Sequence, residues 1–433
     1  MFALAGIAAA SRLRISLLCF AICVAVCAFL TPLPCSDSYA ATLIVDVSGG
    51  ADYTSIQEAV DAAASGDEVL VMPGRYRETI SIIGKDIHLV SSGGPVGTII
   101  DGSGSGPVIH CIRLSTNSSI RGFTITGGVA PNVGGGIYLT SFASPLVKDN
   151  IIVGNRAEIR GAAPSAGRPT GRVSDYRENG KEPPAGNVPL YCEPLPGSGG
   201  GIYVHLECLP TIVDNVIKGN EAVRDGGGVV FWDHANAVFE DNLVFHNKAG
   251  RHGGGVFVGC NAAPRMDGNV LAWNEARAGG GLLAREAEDT KAHAVVTRNT
   301  FYRNSASGGA GGIQLEGPCS PEITRNLIGE SGGAGIRCDG ICTPHVACNN
   351  VWGSDGEDFD GDCFDLGLTY RDLDNDTVDT EFCAPWASDF RPCSQPLART
   401  CGSIGAEDDT CAPGSCGVSR TSWGLIKALY AIQ

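Results

Sequence analysis

A glycine cluster returns along this chain at near-regular intervals. The segments GGGIYL, GGGIYV, GGGVVF, GGGVFV, GGGLLA, GAGGIQ and GGAGIR end their glycines at Gly136, Gly201, Gly228, Gly255, Gly281, Gly312 and Gly335. An asparagine follows 14 residues after the last glycine at Asn150, Asn215, Asn242, Asn269, Asn326 and Asn349, and 18 residues after it at Asn299, where Glu286 to Lys291 reads as an insertion. Five residues further stand Asn155, Asn220, Asn247, Asn274 and Asn304, replaced by Ser331 and Ser354 in the last two units. Proline precedes the first asparagine by five residues at Pro145, Pro210, Pro264, Pro321 and Pro344.

Each unit of 23 to 31 residues carries three short β-type runs, such as GIYV, PTIVD and NVIK, with no helical period between them. One such unit cannot bury its apolar side, so the units must stack. Three short strands per turn, with like positions above one another, define an all-β fold, a right-handed parallel β-helix with rungs about 4.8 Å apart. Ile137, Ile202, Val229, Val256, Leu282, Ile313 and Ile336 should form an inner apolar column. The asparagines should form a ladder at a turn, where amides satisfy one another and tolerate left-handed backbone.

Composition agrees. Among 433 residues 60 are glycine, about twice the usual share and without a collagen period, so glycine sits at specific turns. The formal net charge of −16 leaves no basic excess to replace phosphate counterions, which argues against nucleic acid as a partner.

Arg12 and Arg14 precede an apolar run from Ile15 to Leu30, then Pro32, Pro34 and the small-residue site Ser38-Tyr39-Ala40. Residues 1–40 therefore read as a Sec-type signal peptide. The run is shorter than the roughly 20 residues a membrane span needs, so no span is expected after processing. The product is expected at the cell surface, secreted or periplasmic, and monomeric. Of 18 cysteines four lie before residue 41, and the remaining 14, an even number, suggest complete pairing in disulfides. Cys319 and Cys342 fall in one column on adjacent coils and should pair, and Cys192 with Cys208 reads as a second staple.

Residues 41–133 should make an N-terminal cap and the first coils, with a capping helix near Ser55 to Ala64, and residues 134–354 the regular coils. Within the latter, residues 156–198 read as a long Pro-, Gly- and charge-rich insertion. Residues 355–433 read as an acidic loop followed by a Cys-rich C-terminal cap. In the acidic loop Asp358, Asp360, Asp362 and Asp365, and again Asp372, Asp374, Asp376 and Asp379, have the spacing of oxygen ligands, so the second series reads either as a calcium site or as a solvated loop.

The entry segment GADYTSIQEAV, the Pro73 to Glu78 strand and the GGGI and PxIxxN units resemble the pectin-lyase-like right-handed parallel β-helix superfamily, over roughly residues 42–355. The repeats are similar to those of NosD-like and polymorphic-membrane-protein-like secreted proteins. That resemblance implies the fold and leaves the chemistry to the site. Two fragments resemble pectate-lyase signatures, Trp232-Asp233-His234 and Arg168-Pro169-Thr170-Gly171-Arg172, each one residue short of the pattern. A copper site suggested by the NosD-like likeness would draw on His205, His234 and His252.

Stacking brings Arg224, Arg251 and Arg277 to one edge of the glycine strand, about one rung apart. Tyr203 and Phe257 fall on its outward positions and Trp232 at its end, so aromatic faces beside an arginine column describe a surface for an extended, anionic polysaccharide or glycan. The alternatives are a polysaccharide lyase or hydrolase, with Arg251, Glu207, Asp233 and His234 as the catalytic candidates, and an adhesin or structural surface protein without catalysis.

Overall fold

The computed structural model describes residues 40–159, 192–285, 293–365 and 374–377, together with the backbone of an antiparallel strand pair at Phe382–Ala384 and Asp389–Pro392. Apart from that pair the strands form three parallel sheets of 11, 10 and 15 strands that wind into one coil. The proline-opened strands, such as Thr211–Val213, make the first sheet, and the strands after the asparagine, such as Val216–Lys218, the second. Short pairs such as Glu221–Ala222 and the glycine-led strands such as Val229–Trp232 share the third. Ile137, Ile202, Val229, Val256, Leu282, Ile313 and Ile336 pair in unbroken register and are fully buried, the expected inner column.

The three glycines of a cluster answer three different demands. Gly253, the first, has φ +63°, a left-handed conformation that costs a side-chain-bearing residue about 1–2 kcal/mol. A Cβ on Gly254 would lie 2.6 Å from the Gly280 carbonyl oxygen, and one on Gly255 would lie 2.6 Å from the Gly281 oxygen and 3.1 Å from Asn274 Nδ2. The second and third glycines are thus needed because the next coil's backbone occupies that space.

Two asparagine ladders run along the coil. In the first, Asn215 Nδ2 donates to Asn242 Oδ1 at 3.0 Å and to the Val147 carbonyl at 2.9 Å, while its backbone N–H also donates to Asn242 Oδ1. The same pattern carries from Asn150 to Asn349. The second ladder joins Asn155, Asn220, Asn247, Asn274 and Asn304. The left-handed residue is not the asparagine, as expected from the sequence, but the one before it: Asp214 (φ +56°), Asp241 (φ +53°), Trp273 (φ +52°) and Arg303 (φ +51°). That residue turns the corner, so the asparagine keeps the orientation in which both amide groups point along the axis.

Ser55 caps the helix Ile56–Ala62, its hydroxyl accepting from Glu58 N, and Ile56, Ala59 and Val60 close the first coil's core. At the insertion, Arg156–Ala157 still forms a rung strand paired with Glu221–Ala222, so the excursion leaves the coil after it. It returns by Ser198, which bridges Val133. At the other end the coil outlasts the expected boundary. Phe359–Asp360 adds a strand to the third sheet, and Asn375 extends the first ladder, its Oδ1 accepting from Asn349 Nδ2 at 3.0 Å.

Cys319 and Cys342 form the expected disulfide, with Cα atoms 4.5 Å apart. Cys192 is bonded to Cys260 rather than Cys208, and Cys338 to Cys363. Cys208 points inward, its thiol donating to the His205 carbonyl, and is buried and free, as is Cys111. Complete pairing is therefore corrected at these two core positions, where burial pushes both thiols up, Cys208 to about 12.

Candidate functional site

The outer side of the glycine-led strands is not the open face expected from the sequence. Tyr203 is fully buried, its hydroxyl accepting from Leu195 N at 3.0 Å, and Phe257 lies between Trp232 (5.9 Å, 27°) and His252 (6.2 Å, 26°). Trp232 Nε1 donates to the Glu193 carbonyl at 2.9 Å. The chain returning from the insertion thus lies over these rings, which join Val133, Val230 and Leu283 in an apolar cluster outside the coil. Tyr203 and Phe257 cannot stack on a sugar.

The arginine register holds. Arg251 N donates to the Arg224 carbonyl at 2.8 Å and Arg277 N to the Arg251 carbonyl at 3.0 Å, so the three occupy successive rungs. Arg224 lies 3.9 Å from Asp225, whose other oxygen receives His252 Nδ1 at 2.7 Å. Among the described residues no carboxylate pairs with Arg251 or Arg277.

At the far end of the glycine-led strands three successive coils make a left-handed pair of residues: Leu206 and Glu207, Asp233 and His234, Cys260 and Asn261. Asp233 and Cys260 hold the same position on neighbouring coils, since Glu207 N donates to the Asp233 carbonyl and His234 N to the Cys260 carbonyl. Asp233 is completely buried, with Oδ1 3.0 Å from His234 Nδ1 and Oδ2 3.5 Å from His205 Nε2. Burial drives its carboxyl above the usual range and drives His205 below the usual imidazole range. The three candidate copper histidines are therefore divided, two on Asp233 and one on Asp225. Of the catalytic candidates, Asp233 and His234 meet, Glu207 sits one coil away on the same corner, and Arg251 belongs to the opposite edge.

His110 is also pushed down by burial. Because His110 and His205 have folded values below the unfolded one, the unfolded chain binds more protons at mildly acid pH, and stability should fall as pH drops below about 6.5. Denaturant midpoints measured from pH 8 to 5 check this; His205→Gln should flatten part of the slope.

The acidic segment is absorbed by the coil end where it is described. Asp360 pairs with Arg337 at 2.9 Å, Asp358 Oδ1 accepts from Ser354 N and Asp362 Oδ2 from Gly340 N. Asp374 is the left-handed residue before Asn375, and Asp376 Oδ1 accepts from Thr377 N. Asp372 and Asp379 lie outside the described residues, as do Arg168 and Arg172.

One set of residues escaped the sequence reading. At the corner before the second ladder, His246 stacks on Trp273 (5.4 Å, 12°) and Trp273 meets the edge of Tyr302 (5.9 Å, 81°). Arg303 lies over Tyr302 at 5.1 Å and Lys218 over Phe245 at 5.4 Å. The signal was present at a fixed offset, one or two residues before Asn220, Asn247, Asn274 and Asn304. This aromatic corner and the arginine column border the same short strands of the third sheet, such as Glu275–Ala276 between Trp273 and Arg277.

Residues 80–271 match the family model described as right handed beta helix region. No curated protein sequence matches the chain. Among solved structures it is similar to a pectin methylesterase from carrot (10% identity, TM-score 0.34, covering 78% of this chain and 88% of that one). It is also similar to pectate lyase Pel9A (11% identity, TM-score 0.44, covering 82% and 86%). The family match over that stretch and the coil geometry together make the chain a right-handed parallel β-helix protein. Among the described residues no helix is long and apolar enough to cross a membrane.

Proposed function

We propose that the protein binds an extended, anionic polysaccharide along the coil axis, on the short-strand face bordered by the aromatic corner and the arginine column. The observation that carries this reading is the arginine column, in which Arg251 and Arg277 stand on neighbouring rungs without a carboxylate partner among the described residues. Like charges so placed favour a ligand with repeated carboxylates, and the partly exposed Trp273 and exposed His246 add ring faces for sugars. Export by a signal peptide at residues 1–40 belongs to the same proposal.

Replacing Arg224, Arg251 and Arg277 together by Gln should leave the fold intact, weaken binding to polygalacturonate about tenfold or more and reduce its salt dependence. Trp273→Ala should weaken acidic and neutral glycans alike. Affinity electrophoresis and calorimetry read both, and a wild-type chain that binds no acidic glycan overturns the reading.

A second reading, a lyase or hydrolase, draws on Asp233 holding the His234 ring, the arrangement of an acid–base pair. Formation of unsaturated or reducing ends that is lost in His234→Ala supports it.

A further inference from the structure

We propose that Cys192, Cys260 and Asp233 form a divalent transition-metal site, of the kind zinc takes, when the Cys192–Cys260 disulfide is reduced, with the fourth position open to solvent or another ligand. The two sulfurs and an Asp233 carboxylate oxygen lie within 4.8 Å of one another. Their Cα atoms, 6.4 Å apart, suit a disulfide and also suit two thiolates about 3.8 Å apart on one tetrahedral ion.

The independent observation is Asp233 itself. Its Oδ2 is fully buried and has no hydrogen-bond partner, with His205 Nε2 3.5 Å away. With the disulfide closed, Nε2 instead faces the Cys192 carbonyl at 3.1 Å, while Nδ1 lies 3.4 Å from Thr140 Oγ1. A buried carboxylate with one oxygen lacking a hydrogen-bond partner is costly. A cation held by two thiolates and an Asp233 carboxylate oxygen would satisfy it, and the ligand set is a borderline-soft one.

The positions follow from the coil. Asp233 and Cys260 are the same left-handed corner residue on adjacent rungs, and Cys192 is delivered from outside by the chain returning from the insertion.

The exchange balances. Two equivalents of a small thiol reduce the disulfide, giving two cysteine thiols and one small-molecule disulfide. The bound ion then displaces the two thiol protons to solvent. A two-electron oxidant closes the disulfide and releases the ion.

The test uses the mature chain, reduced with excess thiol under nitrogen, desalted, and incubated with zinc or cobalt. The expected result is one equivalent of zinc beyond that held by a Cys192→Ser/Cys260→Ser chain, and a thiolate-to-cobalt charge-transfer band. Asp233→Asn, which preserves the thiols and the side-chain shape, should weaken zinc at least tenfold. Hydrogen peroxide should release the extra equivalent as the thiols disappear. Circular dichroism establishes that each variant is folded, and if Cys260→Ser is not, Asp233→Asn with the cobalt band decides. No extra equivalent in the reduced chain, or equal zinc affinity in Asp233→Asn, overturns the proposal. Glycan binding is scored separately, so its failure leaves this result untouched.

Discussion

Replacing Gly254 by alanine should prevent the coil from closing at that rung and destabilise the chain by more than about 4 kcal/mol. The added Cβ would meet the Gly280 oxygen at 2.6 Å and the Glu275 carbonyl carbon at 2.7 Å. All the atoms it meets belong to backbone, so no side chain can rotate away and adjacent rungs must separate. The control is Gly219→Ala. That residue has φ +59° and open space around its Cβ position, so it should cost only the left-handed penalty of about 1–2 kcal/mol. Urea unfolding followed by circular dichroism compares them. Equal midpoints for the two variants would remove close backbone packing as the reason for the middle glycine.

Asn269→Ala should be the most damaging change that alters no backbone conformation, at about 3 kcal/mol or more. The side chain donates to the carbonyl of Phe239 and to Asn299 Oδ1, and its own oxygen receives both the backbone and side-chain N–H of Asn242. All of these groups are buried, so deletion leaves donors and acceptors on both neighbouring coils without partners. Asn269→Asp should be poorer than the conservative shape suggests, because a carboxylate cannot donate along the ladder. A double change at Asn242 and Asn269 should cost less than the two singles added, since the second site is already broken. Additive losses would show that the rungs do not share these bonds.

Much of the molecule was legible before any coordinates. The spacing from glycine to asparagine established the coil, its inner column and the pairing of Cys319 with Cys342, because identical positions on stacked rungs are neighbours and sequence period then equals spatial register. The same register placed Arg224, Arg251 and Arg277 in a column. Asn375 was missed as a rung because the segment before it has no glycine cluster, although its ladder bonds are the same as the others.

What the repeat determined is everything that depends on position within a coil: three sheets, two ladders, glycine where backbone meets backbone, and arginines one rung apart. Only the tertiary structure decided what depends on chain that leaves the coil and comes back. The return from the insertion covers Tyr203 and Phe257, turns the outward positions of a periodic strand into core, and carries Cys192 to Cys260 instead of Cys208. Burial of Asp233 between two histidines beside that disulfide is a product of the same crossing. A period fixes neighbours within the repeat, whereas an excursion has no period, and its partners are chosen by which apolar surface and which thiol it can reach.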